Sequence, residues 1–388
     1  MIHLKKLNMN RLKIVTRSGS LVIKQVEELM MLLPNVTYEI LKIQSHVDKH
    51  KEISLYANTP TDFFTRKLDE AILSDEGDIA IHSAKNLPYP LPAGLDVIAL
   101  TDSSDQTDCM ISNNNRKLNE PASQVKTKSL QEQLVVIAKK ENLFLKNLFS
   151  PIDCRKKYGK VYIAGFGPGD PELLTIKAQK ALQQADIIFY DSLLDDTYLE
   201  NFKGKKIKAG KRKDLHMKEQ DEINELLYRA AISGKKVVRI KGGDPMIFGR
   251  GGEEFCYLKQ RLIDVEIIPG ITSALAAAAI AGIPLTQRGI SSSVSFCTGH
   301  PESSIHIPDT DTIVFYMPAS NLHIILNKLI AAGRPTNIPI ALIENISLPG
   351  QRIITGRLYE ILKGTNIFQS PLLVIAGNTV MVNHSIIK

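Results

Sequence analysis

Two glycine-rich stretches, each fed by a strand-like run, are the parts of this chain best suited to hold a small molecule. Val161-Tyr162-Ile163-Ala164 leads into Gly165-Phe166-Gly167-Pro168-Gly169-Asp170-Pro171. Lys235 to Ile240 leads into Lys241-Gly242-Gly243-Asp244-Pro245-Met246-Ile247-Phe248-Gly249-Arg250-Gly251-Gly252-Glu253-Glu254. Glycines at alternate positions remove the Cβ atoms that keep a ligand off the backbone, and they allow the dihedrals of a tight turn. Asp170 is placed to cap the following helix and Pro171 to begin it. Alone, the first loop reads equally well as a plain strand-to-helix turn, because Gly-x-Gly-x-Gly is not the dinucleotide fingerprint. A second such loop in the same α/β unit favours a ligand site. Asp244 argues against a phosphate cradle, since a carboxylate beside backbone N–H groups repels an anion; it fits a ligand with hydroxyls or positive charge. Asp191 follows the apolar run Asp186-Ile187-Ile188-Phe189-Tyr190. Strand ends are where α/β sheets place their chemistry, and they are also where a helix cap or a solvated turn puts a carboxylate.

Composition bounds the setting. The chain has 388 residues, 44% hydrophobic and 23% charged, with a formal charge of +7; this fits two or three globular domains. Lys203, Lys205, Lys206, Lys208, Lys211, Arg212 and Lys213 concentrate positive charge, either as a solvated strand and loop or as a landing surface for a polyanion. Nucleic acid is not expected, since Trp is absent and no zinc-finger or RRM-type motif occurs. Cys109, Cys154, Cys256 and Cys297 are scattered without metal-ligand spacing, so no metal is expected and the thiols read as reduced. No apolar run reaches the roughly 20 residues of a membrane span, and no signal peptide is present at the N-terminus, so a cytoplasmic protein without membrane contact is expected.

The elements that must position these residues follow an α/β rhythm. Leu12–Arg17, Thr37–Ile43 and Asp78–His82 read as strands, with helices over Leu21–Leu33 and Phe63–Leu73. Thr101 to Lys128 is polar and loop-like, and Ser129 to Phe149 is expected to form a helical connector. Further on, helices are expected over Leu173–Ala185, Glu222–Ala231 and Ala274–Ala281. The last is built almost wholly of small residues, which permit close approach of a neighbouring helix or of a ligand. Beyond Gly282, strands at Val294–Cys297, Thr312–Tyr316, Ile340–Ile343, Arg352–Gly356 and Leu372–Ile375, with a helix over Asn321–Ala332, point to a second lobe with a mixed sheet.

Ile14-Val15-Thr16-Arg17-Ser18, Phe64-Thr65-Arg66-Lys67-Leu68-Asp69-Glu70-Ala71 and Asp78-Ile79-Ala80-Ile81-His82-Ser83-Ala84-Lys85-Asn86-Leu87-Pro88 resemble the first domain of hydroxymethylbilane synthase, or porphobilinogen deaminase. The resemblance implies a catalytic aspartate at the position of Asn86, and a neutral amide cannot stabilise cationic pyrrole intermediates. Gln131 and Glu132 stand where the family's Ser-Leu-Arg-Arg-Gln has its arginine pair. The domain whose cysteine anchors the family's dipyrromethane cofactor has no counterpart. Residues 1–150 therefore read as a truncated, inactive deaminase-like module; any residual tetrapyrrole affinity would fall to Arg17, Ser83 and Lys85.

From about Gly159 to Val380 the chain is similar to the uroporphyrinogen-III C-methyltransferases of the tetrapyrrole methylase family. The carrying motifs are the loop at Gly165, Tyr190-Asp191, Gly210-Lys211-Arg212, the run from Val237 to Glu254, Pro269-Gly270-Ile271-Thr272-Ser273-Ala274, Gly282-Ile283-Pro284-Leu285-Thr286 and Thr298-Gly299-His300, in that order. The resemblance implies an α/β, two-lobed methylase fold (lobes 159–286 and 287–388) behind the small α/β deaminase-like domain, and a homodimer. It implies S-adenosyl-L-methionine held by Pro168, Gly242, Gly243, Asp244, Ile247, Thr272, Ser273, Met317 and Ile346, with Asp191 as proton acceptor and Lys211 as proton donor. The implied reaction is methylation of the polycarboxylate uroporphyrinogen III to precorrin-2, on the way to siroheme or cobalamin. Retention of Asp191, Lys211 and both loops favours this over a non-catalytic tetrapyrrole-binding scaffold, and the deaminase-like companion favours it over a methylase of another tetrapyrrole. Three positions depart from the family: Gln287 for His, Pro318 for Gly, and Ile346 for the Gly beside the cofactor. A β-branched residue resists positive φ, so weaker cofactor binding or a shifted loop is expected at Ile346.

Overall fold

Runs rich in β-branched and aliphatic residues set the first sheet of the computed structural model, which describes residues 11–43, 62, 65–102, 133–191, 194, 196–209, 220–364 and 368–382. β1 (Leu12–Arg17), β2 (Tyr38–Ile43), β3 (Ile79–Ser83), β4 (Leu95–Leu100) and β5 (Leu134–Lys139) lie in the order β2-β1-β3-β5-β4. β1 runs parallel to β2 and β3, while β5 is antiparallel to β3 and β4. Side chains alternate across a strand, and here both faces are covered. Ile14, Ile79, Ile81 and Val136 pack under helices Ser20–Met31 and Leu143–Phe149, whereas Val15, Ala80, Val135 and Ile137 pack against helix Arg66–Leu73.

The single helix expected over Ser129–Phe149 does not form. Ser129 to Glu132 lie outside the described residues, and the stretch from Leu134 to Lys139 is the strand β5 between β3 and β4. Asn142 then caps the short helix that follows, its side chain accepting from the Leu145 N–H at 3.0 Å. The physical reason is two-sided burial: Leu134 to Ala138 are all buried, and a continuous apolar run suits an interior strand as well as a helix.

The chain divides into two compact units, one reaching Tyr158 together with Leu258–Ile263, the other formed by Gly159–Tyr257 and Asp264 onward. The second holds two sheets. β6 (Lys160–Gly165), β7 (Ile187–Tyr190), β8 (Lys205–Lys208), β9 (Val237–Lys241) and β10 (Asp264–Ile268) form an all-parallel sheet in the order β10-β6-β9-β7-β8. β11 (Val294–Thr298), β12 (Thr312–Tyr316), β13 (Pro339–Glu344), β14 (Arg352–Arg357) and β15 (Leu372–Ala376) form the mixed sheet, in the order β11-β12-β15-β13-β14. The small-residue helix, Ser273–Ala281, packs Ala274, Ala276 and Ala277 on this second sheet against Val314, Ala341, Ile343 and Ile375. Its small side chains thus serve contact with a sheet.

One helix starts later than its apolar pattern implies. Asp170 caps a 3-10 turn, Pro171–Leu173, by accepting from the Glu172 N–H at 2.9 Å. The α-helix proper, Ile176–Gln184, begins at a second cap, where the Thr175 hydroxyl accepts from Ala178 N–H at 3.2 Å. Among the described residues, no helix is long and apolar enough to cross a membrane.

Asp69 is a costly group of the first unit. Only 2% exposed, it has no formed hydrogen bond to either carboxylate oxygen. Burial pushes its carboxyl up to about 6, offset only in part by the neighbouring Thr65 hydroxyl. A folded-state value above the unfolded 3.8 means the native state binds the proton more tightly, so stability falls as pH rises from about 4 to about 6. Asp69→Asn is expected to stabilise this unit at pH 7.5 by up to about 3 kcal/mol and to change little at pH 4. Urea denaturation at the two pH values checks this.

Candidate active site

Three loops leave neighbouring strands of the parallel sheet at their C-terminal ends, and the residues that join them are glycines. Gly165 ends β6, Gly242 and Gly243 follow β9, and Pro269-Gly270 follow β10. Gly167 and Gly243 exchange backbone hydrogen bonds, Gly167 N–H to Gly243 O at 3.1 Å and Gly243 N–H to Gly167 O at 2.7 Å. A Cβ on Gly165 would lie 2.4 Å from the Gly243 oxygen and 2.6 Å from the Gly270 Cα; one on Gly270 would lie 2.3 Å from the Gly243 oxygen. Gly165 and Gly270 therefore serve backbone-on-backbone packing of the loops, which for Gly165 decides between the turn and the ligand contact that its spacing left open. Gly242 and Gly243 differ from them. A Cβ there would meet nothing nearer than 3.9 Å and 3.8 Å, and Gly243 takes φ +67. These two are the open part of the cradle.

Asp244 clamps the second loop to the third. Its Oδ1 accepts from Met246 N–H at 2.8 Å and its Oδ2 from Gly270 N–H at 3.0 Å. Each oxygen keeps a further acceptor site, so the structural part leaves room for the ligand contact expected of Asp244. Thr272 is buried at the start of helix Ser273–Ala281, and its hydroxyl lies 2.7 Å from that of Tyr316 at the end of β12. Burial raises the Tyr316 phenol, and the Thr272 contact pulls it partly back. Met317 follows with φ 55 and is 47% exposed, while Phe248 sits 4.9 Å from the Tyr316 ring. Ile247 is part of the same apolar cluster, and Pro168 is half-buried in the first loop.

The strain expected at Ile346 falls on its neighbours. Asn345 (φ 50) and Ser347 (φ 60) take the left-handed conformations that asparagine and a small polar residue tolerate, whereas Ile346 does not and is buried. Leu348 from the same loop covers Gly169, where a Cβ would lie 2.6 Å from its Cδ2. Pro318 lies against Gly299 by its backbone, where a Cβ on Gly299 would be 2.7 Å from the proline Cα. Gln287 turns the backbone, exchanging hydrogen bonds with Ser291. Lys211 lies outside the described residues.

Asp191 stands at the end of β7, and the structure gives it a partner that the loop motifs did not announce. Arg239 of β9, 2% exposed, donates from a terminal guanidinium nitrogen to Asp191 Oδ1 at 2.5 Å and from Nε to Glu254 Oε1 at 3.1 Å. Lys241 donates to the same Glu254 oxygen at 2.8 Å. Burial lowers the Lys241 ammonium, as does nearby Arg239. For Arg239 burial acts the same way, but Glu254 and Asp191 outweigh it and hold the guanidinium above its usual value. The available signal was Arg239 and Lys241 in the interior run Val237-Val238-Arg239-Ile240-Lys241, since buried cations require buried counterions.

Comparison with known proteins places this arrangement. Residues 160–362, over half of the chain, match the tetrapyrrole (corrin/porphyrin) methylases. The chain belongs to that family. Residues 12–161 match the porphobilinogen deaminase, dipyromethane cofactor binding domain. This tetrapyrrole methylase is 46% identical over 243 residues to a siroheme synthase of Psychrobacter arcticus, covering 60% of this chain and 44% of that protein. A siroheme synthase of Pseudomonas aeruginosa is 43% identical over 239 residues, with 59% and 51% covered. The chain thus spans about half the length of the curated relatives it matches. Among solved structures, the uroporphyrin-III C-methyl transferase of Thermus thermophilus complexed with S-adenyl homocysteine is 39% identical with a TM-score of 0.52, covering 58% of this chain and 100% of that one. Its native form gives 37%, 0.51, 58% and 94%.

The two classes of glycine predict opposite outcomes in this methylase. Gly270→Ala should destabilise the C-terminal unit by about 1–3 kcal/mol, whereas Gly242→Ala should leave its thermal unfolding temperature nearly unchanged. Calorimetric unfolding of both variants checks the contrast.

Proposed function

We propose that this chain is an S-adenosylmethionine-dependent C-methyltransferase that methylates uroporphyrinogen III twice to precorrin-2, within siroheme synthesis. The observation that carries the reading is the open Gly242–Gly243 cradle next to the strand end that holds Asp191, in a chain that covers the whole of a methyltransferase solved with S-adenyl homocysteine. Pro168, Gly242, Gly243, Asp244, Ile247, Thr272, Ser273, Met317 and Ile346 hold the cofactor. The fit is chemical as well as spatial: the two glycines leave room for a ligand against the backbone, and Asp244 offers acceptors to polar groups.

S-adenosylmethionine supplies an electrophilic methyl group and leaves as a neutral thioether. The pyrrole carbon of the substrate forms the new bond to carbon, and its positive charge is discharged by loss of a proton, which Asp191 accepts. Lys211 is the proton donor of the accompanying rearrangement of the macrocycle, and each proton it gives is matched by one the macrocycle releases, so one proton leaves per methyl added. Lysines of β8 and the following segment attract the polycarboxylate. Alignment of two large reactants carries much of the acceleration, and the general base adds about 10²–10⁴-fold. Residues 159–286 and 287–388 act as the two lobes, the enzyme works as a cytoplasmic homodimer, and residues 1–150 are a deaminase-like module without activity of its own.

Anaerobic incubation with S-adenosylmethionine and uroporphyrinogen III, followed by mass spectrometry, should give a product carrying two added methyl groups; cofactor binding without any transfer would point to another acceptor. Asp191→Ala should lower turnover by about 10²–10⁴-fold while calorimetry finds cofactor affinity nearly intact. Asn86→Asp should not produce deaminase activity on porphobilinogen, because one carboxylate does not restore the missing arginine pair.

A further inference from the structure

Asp191, the proton acceptor of the reading above, is the outermost of four charged side chains on one face of the parallel sheet. Arg239 and Lys241, two apart on β9, point to the same face; Val238 and Ile240, which alternate with them, join the apolar core on the other. Glu254, wholly buried in the first turns of helix Gly251–Gln260, binds both cations through Oε1 and also accepts from Gln220 at 3.2 Å. The four charges balance, two of each sign. Side-chain exposure rises from 0% at Glu254, through 2% at Arg239 and 5% at Lys241, to 29% at Asp191. The network is thus anchored at Glu254 and reaches the solvent side only at Asp191.

We infer that Arg239 is the positioning residue for Asp191. A guanidinium is a rigid fork, so fixing Nε on Glu254 also fixes the direction of the terminal nitrogen that holds Asp191 Oδ1. Oδ1 is engaged, and among the described residues Oδ2 is left to take the proton released from the substrate carbon. Lys241 completes the anchor by donating to the same Glu254 oxygen. The inference rests on Asp191 being the base of the proposed reaction.

A double-mutant cycle between Arg239→Met and Asp191→Asn separates positioning from a purely structural part. Arg239→Met should lower kcat about 10–100-fold with the KM for S-adenosylmethionine nearly unchanged. In the Asp191→Asn background the same substitution should cost less than about threefold. Arg239→Lys, which keeps charge without the fork, should recover only part of the loss. Equal losses in both backgrounds, or a raised cofactor KM at full kcat, would overturn the inference. If the unsubstituted enzyme moves no methyl to uroporphyrinogen III, the substrate reading fails, and a crystal structure of Arg239→Lys decides the positioning instead. Rotation of the Asp191 carboxylate supports it, and an unmoved carboxylate overturns it. The same structure serves where Arg239→Met does not fold.

Discussion

Contact of bare backbone at Gly165, Gly243 and Gly270 is the constraint on which the site depends. These residues sit at the ends of three neighbouring parallel strands, where successive loops converge on one edge. Any side chain at Gly165 or Gly270 would overlap a backbone atom of another loop, and backbone cannot step aside as a flexible side chain can. The reciprocal Gly167–Gly243 hydrogen bonds and the Asp244 clamp on Gly270 then turn three loops into one surface. Gly242 and Gly243 can present an open face because the glycines around them have already closed the rest.

Behind that surface the parallel sheet has two unlike faces. One is an apolar core of Ala164, Ile188, Val238 and Ile240 under helix Ile176–Gln184, with Leu182 and Ala178 facing it. The other carries the balanced ionic cluster of Arg239, Lys241, Glu254 and Asp191. Burying charge is costly, and breaking a buried pair by removing one partner costs about 3–5 kcal/mol. A cluster of this kind is a poor source of net stability compared with apolar packing, but it fixes geometry, because each member must stay where its counterion is. That property suits the part proposed for Asp191 as a base.

The N-terminal unit keeps a complete architecture, with a sheet covered on both faces and cores on either side. It also keeps buried titratable groups. His82 is held neutral by burial, its imidazole lowered to about 4, while Asp69 is shifted the opposite way. Their pH effects oppose one another: His82 withdraws stability as pH falls through the range in which Asp69 returns it. Packing and the Asn86 position are carried by different residues: Asn86 ends the 3-10 turn after β3 and is in neither core.

Most of the strands, their order along the chain and the two glycine-rich loops were legible because the deciding information is local. Ile187-Ile188-Phe189-Tyr190 and Thr312-Ile313-Val314-Phe315-Tyr316 have the composition of buried strands wherever they sit, and Gly-rich turns mark the ends of Lys160–Gly165 and Val237–Lys241. The stretch from Leu134 to Ala138 was not legible, since a run of five apolar residues has no period that separates a strand from a buried helix. Where the Ile346 loop takes its positive φ is likewise not written in one residue type: Asn345 and Ser347 take it and Ile346 does not. The division of the glycines into packing and open classes, and the joining of Asp191 to Arg239 across 48 residues, were decided only by the tertiary structure. Sequence spacing specifies which side chains share a strand face; which strands become neighbours, and so which charges must neutralise one another, is set when the sheet assembles.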